Sequence, residues 1–377
     1  MSDVAEAAVA LTAELVAIDS VNPGLAPGAA GESEIVRHLS ARLGRAGFTT
    51  HVVQPAATSG RPSLVAVGPG FVTGPTVVLN GHLDTVGVAG MSAPFAPVRD
   101  GDRLSGRGAA DMKGGVAAMV AAAEELVASS APLRVVLALV ADEEDASRGT
   151  EAVIAALPTL GIRLDACLIG EPTDLTPARS LRGFAVIRVR FRGRAAHSSQ
   201  PELGINAVSQ LGRFVTAVDA RSAAVRAGGG DLMVTVARGG DSPFVVPESA
   251  ECLVERRTVP GESAASALAE VRALLPPEVD ATAELDAYRD AWELDSQGPA
   301  ADLATRLGTA LGTGPTFDAP YWMEAPLWQA VCPTLVCGPS GGGLHAADEW
   351  VDLRQVRAFA EALPGVLREW ADARRAD

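Results

Sequence analysis

The sequence predicts an α/β fold: a mainly parallel sheet with helices on both faces, interrupted by an inserted α+β domain. Three observations carry this. Apolar runs too continuous for half-exposed strands alternate with helical segments up to about residue 178. Near Arg179 the texture changes to strict apolar/charged alternation. After about residue 287 the first texture returns. The expected division is 1–178 and 288–377 for the larger domain, with 179–287 as the insertion.

The elements follow in order. "MSDVAEAAVALTAELVAIDS" reads as an amphipathic helix ending before Asn22-Pro23; it carries acids and no basic leader, which is unlike a signal peptide. Strands are expected at "PTVVLNGHLD", "LRVVLALVADEE" and "ACLIGEP". The run "DMKGGVAAMVAAAEELVASS" predicts a helix from its alanines and from the spacing of Val116, Met119, Val120 and Ala123. In the insertion, "FAVIRVRFRGRA" places Ile187, Val189 and Phe191 on one face and Arg188, Arg190 and Arg192 on the other, a strand with one solvated side. A helix at 205–220, strands at "LMVTVARGG" and "AECLVERRTV", a helix at "SAASALAEVRALL" and a strand near "DATAELDAY" complete a β-α-β-β-α-β order, that of a ferredoxin-like unit. A helix near 300–311, the strand "PTLVCGP" and a helix from Leu353 close the larger domain.

Composition sets the bounds. The 377 residues suffice for two domains of ~100–200 residues. A formal charge of −15 with 4% aromatics argues against nucleic-acid binding and against an anionic membrane surface, leaving a small molecule as the expected partner. No run approaches the ~20 apolar residues of a membrane span. Cys167, Cys252, Cys332 and Cys337 show no CxxC spacing and read as reduced, mostly buried thiols of a cytoplasmic protein.

The chemistry gathers at strand ends. His82 and Asp84 end one strand, and Glu143 and Glu144 the next. Glu171 ends a third, Asp111 follows the Gly-rich "SGRGAAD" and opens a helix, and His345 lies just past "TLVCGPSGGG". In an open α/β sheet, ligands bind beyond the carboxyl ends of the strands. His82 beside Asp84 reads either as a polar pair closing a strand or as a metal ligand with the carboxylate that orients it. Alone, "DEED" reads as a solvated acidic turn. Taken together, two imidazoles and three carboxylates make five mixed nitrogen/oxygen donors, which suit zinc and also admit cobalt or manganese. If one carboxylate bridges, each of two ions gains three protein ligands. Three carboxylates and a hydroxide then balance two divalent charges, and such a pair activates water. Adjacent glutamates at a strand end point apart, so one can ligate while the other carries the proton.

The motifs "NGHLDTV", "SGRGAADMKGG", "ADEED", "IGEPTDL" and "GPSGGGLHAADEWV" resemble, in order and spacing and over nearly the whole chain, those of the dinuclear metallopeptidase and amidohydrolase family. That family includes acetylornithine deacetylase, succinyl-diaminopimelate desuccinylase, aminoacylase and glutamate carboxypeptidase. The resemblance implies a zinc-peptidase-like catalytic domain with an inserted dimerisation lid. It implies Asp111 as bridging ligand, His82 and Glu171 on one metal, Glu144 and His345 on the other. Glu143 would be the general base and Asp84 the residue orienting His82. "GRAAHSSQPELGINAV" is similar to the family's lid, where His197 would reach the partner subunit's site and stabilise an oxyanion. Arg257 in "VERRTVPGE" matches the arginine that grips a substrate carboxylate. Without the resemblance, His197 would read as an ordinary surface or core histidine and Arg257 as an exposed strand arginine.

Two departures stand out. Phe244 precedes Val-Val-Pro where the family often has a substrate-binding asparagine, and Glu324 in "YWMEAPL" replaces a more usual aspartate. His38 and His51 match no motif and read as structural.

The expected function is cleavage of the amide of a small N-acyl amino acid by a metal-activated water, in a cytoplasmic homodimer. A dipeptidase or glutamate-type carboxypeptidase of the same family is the alternative. Two more distant readings are a serine hydrolase using Ser340 of "GPSGG" and a non-catalytic homologue that binds metal or ligand.

Overall fold

The computed structural model describes residues 3–55, 60–69, 74–314 and 316–375. These form two compact units. The first comprises residues up to Arg179, then Leu294–Phe317 and Met323 onward; the second comprises Ser180–Glu293 and Asp318–Trp322. The second unit thus runs past residue 287, because Trp292 and Glu293 pair with Leu181 and Ser180.

The first unit is built on six strands: β1 (Thr49–Val53), β2 (Ser63–Val67), β3 (Thr76–His82), β4 (Arg134–Val140), β5 (Ala166–Ile169) and, near its C-terminal end, β10 (Thr334–Val336). Their spatial order is β1-β2-β4-β3-β5-β10. β4, β3, β5 and β10 are parallel neighbours, whereas β2 runs antiparallel to β1 and β4. The central strands are buried along nearly their whole length, which is why their sequences are apolar without alternation.

Helices cover both faces. On one face, Val77, Leu79, Leu137 and Leu168 join a core with α1 (Asp3–Val16), α2 (Ser33–Arg45), α3 (Gly114–Ala128), α7 (Pro299–Leu311) and α9 (Leu353–Arg375). On the other, α4 (Arg148–Ala156) packs on β2 and β4, and α8 (Ala325–Gln329) on β5 and β10. α3 begins at Gly114, three residues later than the sequence suggested. Asp111 and Met112 leave helical geometry, so Asp111 sits in a turn before the helix. The paired glycines of "MKGG" let α3 pass close to β5: a Cβ on Gly115 would collide with the Gly170 carbonyl oxygen.

The second unit has strands β6 (Gly183–Arg192), β7 (Asp231–Gly239), β8 (Ser249–Thr258) and β9 (Ala281–Arg289), with α5 (Ala207–Ala227) and α6 (Ala264–Ala273). All neighbours are antiparallel in the order β7-β8-β6-β9, as the ferredoxin-like reading requires. Ile187, Val189 and Phe191 enter the core, where Phe191 meets Phe214 with ring centroids 5.6 Å apart. Two arginines of the charged face of β6 are matched within its own sheet. Arg190 pairs with Glu284 at 2.9 Å, and Arg188 with Asp286 at 2.5 Å and Glu251 at 3.4 Å. β6 is an inner strand on which Arg188 and Arg190 already have cross-strand partners.

Candidate metal centre

The site lies where β3, β4 and β5 end. His82 is the last residue of β3 and is 1% exposed. Glu171 follows β5 by two residues, and Glu143 and Glu144 follow β4 by three and four. Parallel strands all release the chain at the same edge, so side chains distant in sequence converge there. Asp111 comes from the turn before α3, and His345 from the loop after Gly341–Gly342, with φ +61°.

The two imidazoles face opposite oxygens of one carboxylate. His82 Nε2 is 3.0 Å from Asp111 Oδ1, and His345 Nε2 is 3.3 Å from Asp111 Oδ2. His82 Nε2 also lies 3.7 Å from Glu171 Oε1, and His345 Nε2 3.1 Å from Glu144 Oε2. Ligand atoms of His82, Asp111 and Glu144 lie within 4.8 Å of one another, as do those of His82, Glu143 and Glu171. These two groups share His82, and His345 joins them through Asp111 and Glu144, so all five expected ligands and Glu143 come together.

Electrostatics mark this as a cation site. Burial pushes the Glu143 and Glu171 carboxyls well above the usual range, with repulsion from Glu171 adding to it at Glu143 and from Asp111 at Glu171. Burial raises Glu144 as well. Burial opposes charge on His82, but Glu171 and Asp111 outweigh it and raise its pKa. Hydrogen bonds to Asp111 and Glu144 carry His345 up to about 10. Asp111 is also desolvated, yet the two imidazoles hold its carboxyl below the ordinary range. The donor set, three carboxylates and two imidazoles with no lysine or arginine bonded among them in the described residues, fits two divalent ions.

Asp84 holds the site differently from the sequence expectation. The His82 Nδ1 partner is the Asp84 backbone carbonyl at 2.9 Å, while the carboxylate lies at 3.7 Å. That carboxylate accepts the backbone N–H groups of Glu143 (3.1 Å) and Glu144 (3.2 Å). The strand reading of "ADEE" also gives way, since β4 stops at Val140 and Asp142 has φ +69°. The directions of Glu143 and Glu144 are set by this turn rather than by strand alternation.

Sequence reasoning missed the residues behind Asp84. Asn22, fully buried, donates from Nδ2 to Asp84 Oδ2 (2.8 Å) and Asp142 Oδ1 (3.2 Å). Arg61 links Asp142 (3.0 Å) to the buried Glu32 (2.5 Å). Asn22 showed only as an Asn-Pro turn signal, and Arg61 and Glu32 carried none. Glu324 is 1% exposed and accepts from Thr150 Oγ1 at 2.7 Å; burial pushes its carboxyl up to about 7.

Of the remaining predicted residues, His197, Arg257 and Phe244 lie in the second unit and Ser340 in the first. His197 is exposed, on a two-residue strand paired with Val245–Val246. Its Nδ1 accepts the Ser199 backbone N–H at 3.2 Å, which puts the ring proton on Nε2. Arg257 Nε is 2.7 Å from Glu255 Oε1, and its guanidinium lies 5.7 Å from the Phe184 ring centre. Phe244 is 69% exposed. Ser340 is buried and its Oγ accepts from the Asp174 N–H at 2.8 Å; a short strand follows it, not the helix a nucleophile elbow needs.

Residues 78–369 match the model of peptidase family M20/M25/M40. The chain is 30% identical to a succinyl-diaminopimelate desuccinylase of Cereibacter sphaeroides, covering 96% of this chain and 98% of that protein. It is 27% identical to an acetylornithine deacetylase of Proteus mirabilis, with 98% of each covered. A tripeptidase structure from Staphylococcus aureus shares the fold, with a TM-score of 0.81 at 17% identity over 98% of this chain and 99% of that one.

Proposed function

The chain belongs to peptidase family M20/M25/M40 and is a hydrolase of amide bonds, and on that premise we propose that it deacylates a small N-acyl amino acid, as acetylornithine deacetylases and desuccinylases do. The observation that carries this is Asp111, whose two carboxylate oxygens face His82 and His345 at 3.0 and 3.3 Å. Asp111, His82 and Glu171 would hold one ion, and Asp111, Glu144 and His345 the other, with zinc the first choice for this donor set and cobalt or manganese next. Two such ions, when bound, supply a Lewis acid for the substrate carbonyl and lower the pKa of water.

The chain's own residues do the rest. Glu143 takes a proton from the attacking water and passes it to the departing nitrogen. A carboxylate raised by burial is a stronger base, which suits it to that exchange. Asp84 fixes the Glu143 backbone, so the carboxylate is aimed without searching. His197, with its proton on Nε2, would donate to the developing oxyanion. Arg257 would hold a substrate carboxylate through its terminal nitrogens, its Nε being engaged by Glu255.

The proposal includes a homodimer in which His197 serves the neighbouring subunit. Exposed Phe244, Val245, Leu203 and Ile205 lie along the segments next to His197 and supply apolar surface for such a contact. The proposed compartment is the cytoplasm, supported by four free, buried cysteines. Among the described residues no helix is long and apolar enough to cross a membrane.

A screen of N-acetyl and N-succinyl amino acids, dipeptides and tripeptides tests this, with stripped enzyme given zinc, cobalt or manganese separately. N-acyl amino acids should be the best substrates, with activity lost to a chelator. Preference for dipeptides or C-terminal glutamates moves the assignment to a peptidase. Activity that survives chelation but not a serine-directed phosphonate moves it to Ser340.

A further inference from the structure

Asp111 sits in a turn whose own backbone bonds, Ala109 N–H to Gly106 O (3.2 Å) and Lys113 N–H to Gly108 O (2.9 Å), leave the Gly108, Ala110 and Asp111 N–H groups to other partners. Gly108 has φ +77°, Asp111 has φ −122°, and α3 begins only at Gly114. Three N–H groups of this turn, those of Gly108, Ala110 and Asp111, are taken up by one buried side chain, Glu349. Its Oε1 accepts from Ala110 N (3.1 Å) and Asp111 N (3.2 Å). Its Oε2 accepts from Gly108 N (3.0 Å) and Arg107 Nη1 (2.6 Å). Its backbone carbonyl accepts from Gly106 N at 3.1 Å.

Glu349 follows His345 by four residues. The next residue, Trp350, pairs with Ser105, from which the chain runs directly into the Asp111 turn. The two ligand-bearing segments therefore leave one small sheet side by side, and Glu349 joins them just beyond it. His82, by contrast, is held by the main sheet and by the Asp84 carbonyl.

We propose that Glu349 is a positioning residue that sets the Asp111–His345 separation and thereby the metal position shared by Asp111, Glu144 and His345. This rests on the two-metal reading above. Four donors converge on the carboxylate, so only a group that accepts on both oxygens satisfies them. A glutamine would turn its own N–H₂ toward Gly108 and Arg107 or toward Ala110 and Asp111, forcing the turn away.

The test is cobalt titration of stripped protein, read by visible absorption and by metal content per chain. Wild type should take up two ions. His345→Ala identifies the step that belongs to the Asp111–Glu144–His345 position. Glu349→Gln should weaken that same step ~10–100-fold, the usual cost of losing support behind a ligand, and leave the other within about threefold. Glu349→Asp keeps the charge but shortens the reach, and should weaken only that step, by less; it stands in if the glutamine variant does not fold. Arg107→Met keeps the three backbone bonds and should bind both ions as wild type does. Unchanged titrations of both Glu349 variants overturn the inference, as does equal weakening of both steps. Two ions in wild type with either result leaves the metal reading standing; a wild type that takes up no cobalt overturns both.

Discussion

The Asp84 carboxylate accepts the backbone N–H of Glu143 at 3.1 Å, tying the end of β3 to the turn after β4. The same carboxylate takes the N–H of Glu144 and the Asn22 amide, so three donors share it. Asp84→Asn would replace one acceptor oxygen by a donor in a buried place. The expected loss is ~1–3 kcal/mol of stability, with turnover falling alongside. Thermal unfolding and a kinetic assay check this; a variant as stable and active as wild type removes Asp84 from its role.

Glu143 and Glu144 should separate cleanly. Glu143→Gln keeps the shape and removes the proton acceptor, so turnover should fall by ~10²–10⁴-fold with metal content near normal. Glu144→Gln should instead lose metal. Metal analysis beside the assay decides, and an active Glu143 variant would reassign the base.

The cysteines should be silent. Burial pushes the Cys252, Cys332 and Cys337 thiols up to about 12, and Cys167 is also raised. Thiolate is the reactive form, so a thiol reagent at about pH 8 should find no reactive group until denaturant is added. Rapid labelling of the folded protein would contradict this.

Glu270 supplies a pH dependence in the second unit. Burial would raise its carboxyl, but bonds to Arg256 (2.7 Å) and Arg221 (2.9 Å) outweigh that and hold it below the usual range. A carboxyl lowered in the folded state stabilises fully above its unfolded pKa and loses that contribution as pH falls through the folded value. The stability advantage of wild type over Glu270→Gln should therefore shrink between about pH 5 and about pH 3. Paired unfolding curves measure it, and an advantage that grows on acidification has the wrong sign.

Complementation tests the proposed sharing of the site between two subunits. His197→Ala and Glu143→Ala proteins should each be nearly inactive. Mixed and allowed to exchange, half their dimers are heterodimers with one intact site of two, so activity should return to roughly a quarter of wild type. Tagged chains verify exchange. Exchange without recovery would mean that His197 does not act across subunits.

The larger features were legible because each left a pattern. Continuous apolar runs gave the parallel strands, and Ile187, Val189 and Phe191 alternating with arginines gave the first strand of the insertion. Of the clustered residues, His82 and Glu171 were legible at recognisable strand ends, whereas Asp111 and His345 were picked out by their motifs. What stayed hidden depends on hydrogen bonds between distant segments. Nothing near Asn22 points to Asp84, and Glu349 reads as one more acid in "AADEW" until its four donors are seen. Turn geometry was equally opaque, so Asp111 was expected to open a helix and Glu143 to continue a strand.

The pairing of Ile169 in β5 with Val336 in β10 has a kinetic side. The whole inserted unit lies between them in the chain, whereas that unit's four strands and two helices come from one continuous stretch. The insert can close its core from neighbouring chain while the six-stranded sheet still waits for its last strand. Contacts close in sequence form sooner than those that must first close a long loop. Until Thr334–Val336 arrives, β5 is an unpaired edge, and open edges recruit foreign strands. A ribosome that stalls between the insert and β10 therefore releases a chain with one finished unit and one adhesive sheet.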